Sequence, residues 1–126
     1  MIAFDTFIDA ISLCEGYLVE RLIMSRIGDS DVVDISLRWG PDKPDVMLSF
    51  EDVYYFEVGG GPGRGTEPLY ELTATVLEPS SEPWPDGINL DIVRSASLPA
   101  LLWFRAGGPA QLTVLAAIAT AYREVR

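Results

Sequence analysis

A chain of 126 residues, 48% of them apolar, is long and apolar enough for one self-supporting core, which predicts a single domain over 1–126 and argues against disorder. Nineteen acidic against nine basic residues give a formal charge of −10, and Lys43 is the sole lysine, so phosphate-lined nucleic acid and anionic membranes are excluded as partners. The single cysteine, Cys14, cannot form an intrachain disulfide, and neither a signal peptide nor a run of the ~18 apolar residues of a membrane span is visible, so a cytoplasmic location is expected.

Residues 4–15 read as a short amphipathic helix capped by Asp5, because Phe4, Phe7, Ile8, Ile11 and Cys14 recur at three- and four-residue spacing. Gly16 is placed to stop it, and Cys14 on the apolar stripe reads as a core residue rather than a nucleophile. From Tyr17 to Ile27 the period shifts toward two, and Gly28-Asp29-Ser30-Asp31 makes a turn. Val32 to Trp39 is a half-buried antiparallel strand, with Val33, Ile35, Leu37 and Trp39 on one face and Asp34, Ser36 and Arg38 on the other. After the turn formers of 40–45, Val46 to Val58 is too long for one regular strand. A bulge or sharp bend is therefore expected near Glu51 and Asp52, letting one segment serve two sheet regions.

Gly59 to Gly65 is a low-complexity loop, and alternation resumes from Leu69 to Glu78 with Tyr70, Leu72, Ala74 and Val76 on one side. Pro79 to Gly87 is irregular and holds Trp84 between two prolines. Ile88, Leu90 and Ile92 then alternate with Asn89 and Asp91, which predicts a strand. Leu98 to Arg105 is nearly all apolar and predicts a strand covered on both faces; it is also more apolar than one small sheet readily hides, which suits a homo-oligomer. Gln111 to Val125 carries two patterns. Its alanines, the preceding Pro109 and Arg123 favour a helix, whereas Leu112, Val114, Ala116 and Ile118 alternating with Thr113 and Leu115 favour a strand, which is preferred. The sum is an α+β fold, mainly antiparallel β: a bent sheet or partial barrel of six to seven strands with an N-terminal helix.

The chain has no histidine, which removes imidazole bases and histidine metal ligands, and one cysteine cannot assemble a zinc site. Asp29, Asp31 and Asp34 lack the spacing of a calcium loop and read as a solvated turn. Glu51, Asp52 and Glu57 flank the aromatic run Tyr54-Tyr55-Phe56, but nothing in the sequence fixes the carboxylate separation that glycoside chemistry needs. The glycine loop carries Arg64 yet has neither the Gly-Lys-Ser/Thr ending nor the following helix of a phosphate cradle, and reads as a flexible connection between strands; a function for it would be to order on binding. No catalytic residue, cofactor or metal ligand is assigned. The candidates for contact with a partner are Trp84 and Trp39, aromatics beside Pro/Gly loops, together with Arg64, Glu51, Asp52 and Glu57.

In the stretch 45–58, Val46, Leu48, Phe50 and Val53 fall in an apolar-x-apolar-x-Phe-x-x-Val pattern. It resembles a strand of small acidic bacterial proteins, among them immunity proteins of polymorphic-toxin systems. The order of an N-terminal helix, a strand meander and a closing segment led by Gly107-Gly108-Pro109 is similar too. The resemblance implies binding without a reaction: a non-catalytic protein-interaction domain that neutralises a basic toxin by occupying its surface. The charge of −10 independently suits a basic protein partner, because long-range attraction speeds encounter. The alternative is a small-molecule-binding protein using a concave sheet face lined by Tyr54, Tyr55, Phe56 and Tyr70.

Overall fold

The computed structural model describes residues 4–60, 71–107 and 110–124. The N-terminal helix, α1 (Asp5–Ile11), is shorter than the sequence pattern suggests. Phe4 holds the N-cap position without a side-chain hydrogen bond, and Asp5 is already helical, so Asp5 complements the helix dipole rather than capping it. The backbone then tightens: the amides of Leu13 and Cys14 donate to the carbonyls of Ala10 and Ile11, three residues back. Gly16, at φ 91°, redirects the chain in a conformation that favours glycine.

Six strands follow: β1 (Leu18–Ile27), β2 (Ser30–Arg38), β3 (Asp45–Gly60), β4 (Glu71–Leu77), β5 (Leu101–Gly107) and β6 (Ala110–Glu124). They form one sheet in the order β1-β2-β3-β6-β5-β4, every neighbouring pair antiparallel. The sheet is open, with β1 and β4 at its edges, and with the N-terminal helix it makes the expected α+β fold. The C-terminal segment is a strand. Its ladder with β3 runs from Asp45 opposite Glu124 to Gly60 opposite Ala110, while β5 pairs along its other side. Pairing with β3 along its length and with β5 over residues 112–116 engages its backbone groups and overrides the helix propensity of its alanines.

The main core lies between the sheet's inner face and α1. Val33, Ile35 and Leu37 from β2, Leu48 and Phe50 from β3, Leu102 and Phe104 from β5, and Val114 and Ala116 from β6 are all solvent-excluded there. Phe7 of α1 meets Phe50 and Phe104 edge-on, with ring centroids 5.4 and 6.0 Å apart. Such edge-to-face contacts add to the area these rings bury. The small Ala116 and Ala119 of the intervening β6 belong to the same cluster.

The bend expected in the long β segment is present. Asp52 adopts φ 52°, rare for a residue with a side chain, and the β3–β6 register shifts between Val53 and Tyr55. Up to Glu51, β3 pairs with both β2 and β6; beyond it, with β6 alone. The extra residue puts Tyr54 and Tyr55 together on the outer face while Val53 and Phe56 join the inner cluster.

The strand expected at Ile88–Ile92 does not form. Residues 78–100 instead run as irregular chain between β4 and β5. Ile88 and Leu90 drop onto the outer face against Leu101, Leu115, Tyr55 and Trp103, making a second, smaller core. The alternation there thus records burial against a sheet, not membership of one. Trp84 Nε1 donates to the Ile92 carbonyl at 2.9 Å, and Arg94 donates to the carbonyls of Pro83 (3.3 Å) and Glu78 (3.1 Å), which ties the segment together. β5 is consequently covered on both faces, with Leu101 buried outward and Leu102 inward, and the apolar run is hidden within the chain itself. No helix among the described residues is long and apolar enough to cross a membrane.

Candidate functional site

The β1–β2 connection is a two-residue turn, with Ile27 opposite Ser30. Gly28 supplies its positive φ of 63° at the first position, as a hairpin of this length requires. The β2–β3 register then sets Glu51 opposite Val32, and the Asp52 amide donates to Ser30 Oγ at 3.0 Å. These two constraints gather Asp29, Asp31, Glu51 and Asp52, all exposed, at one end of the sheet. Arg26 pairs with Asp31 at 3.3 Å, but both side chains are at least half-exposed, so the pair contributes little to stability.

Of the sequence-derived contact candidates, only Glu51 and Asp52 come together there. Glu57 lies past the bulge, opposite Thr113, where its carboxylate, after burial, helps hold the Tyr55 hydroxyl above its ordinary 10.0. Trp84 is a half-buried lid on the chain's own outer cluster, with the Arg94 guanidinium 5.6 Å from its ring centroid. Trp39 is 42% exposed but sits past the other end of β2, about 25 Å of strand away from the acidic turn. Arg64 and Tyr70 lie outside the described residues, as does the glycine loop from 61 onward. The aromatic set proposed to line one concave face is divided, since Tyr54 and Tyr55 pack outward under the 84–90 segment and Phe56 packs inward.

A second feature was hidden from sequence reading because its walls come from three distant segments. A cleft of about 420 Å³ opens between the end of α1, the β2–β3 loop and the end of β6, within the usual ~300–1,000 Å³ range of ligand pockets. Its apolar lining comes from Ala10, Val46 and Ala121 with the exposed Leu13, and Lys43 and Arg123 also line it. The loop carrying Lys43 is held from several sides. Tyr17 donates to the Pro44 carbonyl at 3.2 Å, the Tyr17 and Trp39 rings lie 5.5 Å apart, and Lys43 Nζ sits 3.9 Å from the Trp39 ring centroid. Gly16 is needed beneath Trp39, because a Cβ there would come within 2.9 Å of the indole.

Cys14 is buried in the wall of this cleft, and desolvation pushes its thiol above the ordinary 9.0, with Arg123 pulling weakly the other way. A protonated, enclosed thiol is a poor nucleophile, which agrees with reading Cys14 as a core residue. Desolvation and then Cys14 likewise raise Tyr17, keeping its hydroxyl a donor. Among the described residues no group of three or more His, Cys, Asp or Glu side chains is arranged to hold a metal ion. No family model matches this chain, and no curated protein matches it.

Proposed function

We propose that the chain is a non-catalytic protein-interaction domain whose partner is a basic protein, met in the cytoplasm, and that its specific form is an immunity protein neutralising a basic toxin. One observation carries this reading: the hairpin turn and the bend in β3 bring Asp29, Asp31, Glu51 and Asp52 to one exposed end of an already acidic molecule. Clustered like charges at the end of a rigid sheet steer an oppositely charged surface into register and raise the encounter rate. The exposed Arg26–Asp31 ion pair offsets only part of this charge. Both the net charge and the strand pattern around Phe50 support the immunity form of this reading.

The test is affinity capture from cells of the source organism with the wild-type chain and with a D29N/D31N/E51Q/D52N variant, both checked for folding. The expected outcome is a basic protein retained by the wild type at low salt and lost from the variant. Equal retention by both would remove the acidic end from recognition.

A further inference from the structure

We infer that the cleft between α1, the β2–β3 loop and the end of β6 is a binding site for a small carboxylate with an apolar body, such as a medium-chain fatty acid. This site is separate from the acidic end and does not rest on the protein-docking reading.

The charge placement is unusual for this molecule. With nineteen carboxylates and nine cations, a basic side chain has many acidic partners to choose from. The Arg26–Asp31 and Arg38–Glu20 ion pairs take neither Lys43 nor Arg123. Instead the sole lysine is fixed over the Trp39 ring, and Arg123, opposite Val46 in the β3–β6 ladder, faces the same cleft. A cation held by an aromatic face keeps its outward donors available.

The remaining surface selects the ligand class. Ala10, Val46 and Ala121, with the exposed Leu13, offer apolar surface that a hydrocarbon body can cover, while the exposed Lys43 and Arg123 offer donors for one carboxylate. An inorganic phosphate would leave that apolar surface unused. Many phosphate cradles are built from glycine-rich backbone amides, and no glycine is among the described residues that line this cleft. The Tyr17 hydroxyl is engaged by the Pro44 carbonyl, so it stabilises the loop rather than the ligand. The site is therefore organised before binding, which lowers the cost of ordering it.

Isothermal titration of the full chain with octanoate, octanol and inorganic phosphate tests this. Octanoate is expected to bind with one-to-one stoichiometry, and octanol, which has the same body without the charge, to bind at least about tenfold more weakly. Phosphate is expected not to displace octanoate. A K43Q/R123Q variant, whose altered side chains are exposed, should retain the wild-type circular dichroism spectrum and lose octanoate affinity by about tenfold or more. No octanoate binding to the wild type would overturn the proposal. So would octanol binding as tightly, phosphate competing effectively, or a folded double variant that binds octanoate unchanged.

Discussion

The two halves of the sheet are covered differently. β5, residues 112–117 of β6 and Tyr54 and Tyr55 of β3 are sandwiched, with the main core on one side and the 84–90 segment on the other. β1, β2 and the near part of β3 are packed mainly on the inner face, although the outward Val32 of β2 is buried as well. There Val33, Ile35 and Leu37 are fully buried, while Asp34, Ser36 and Ser49 share the opposite face with the 43%-exposed Ile23. Stability is thus concentrated where strands have two packed faces. Beyond Val32 the outer face of the β1–β2 half carries part-exposed polar side chains, and the acidic turn projects from its end. Residues under no constraint from the core are the ones open to selection for binding.

The contrast can be broken by substitution. Phe104→Ala, in the ring cluster with Phe7 and Phe50, is expected to cost about 3–5 kcal/mol in urea unfolding. Ile88→Ala, in the irregular cover that can partly collapse, is expected to cost about 2 kcal/mol and to increase hydrogen exchange in 84–100 ahead of the inner core. If Ile88→Ala cost as much as Phe104→Ala, the outer layer would be an equal core and not a cover. Ile23→Thr on the outer face of the β1–β2 half is expected to stay within about 0.5 kcal/mol of wild type. A larger loss would mean that this face is packed in solution.

The smallest effect is silent at neutral pH. Burial raises the Cys14 thiol above 9.0, so the folded chain keeps a proton that the unfolded chain releases. The stability from this group is intact below the unfolded value and lost as pH rises through the folded one. Between about pH 8 and pH 10.5, the urea midpoint of Cys14→Ala should therefore fall less than that of the wild type. Parallel declines would place the thiol outside the cleft wall.

Much of the fold was legible because its signals are local. Strict alternation at Val33, Ile35 and Leu37 marks β2, and the excess length of the segment ending at Val58 forecasts the bend at Asp52. The misreadings came from patterns with two physical causes. Ile88 and Leu90 alternate because they cap a sheet, and the helix stops at Ile11 although its apolar spacing runs on to Cys14. The sites were least legible. Asp29 and Asp31 join Glu51 and Asp52 only through strand register, and the cleft draws Leu13, Lys43 and Arg123 from segments far apart in the chain. Neither arrangement leaves a spacing motif.

The most direct measurement is the association rate of the captured basic partner as ionic strength rises, for the wild type and the D29N/D31N/E51Q/D52N variant. Recognition through the acidic end predicts a steep fall for the wild type and a slower, nearly salt-independent rate for the variant. Identical salt dependence in the two proteins would contradict it.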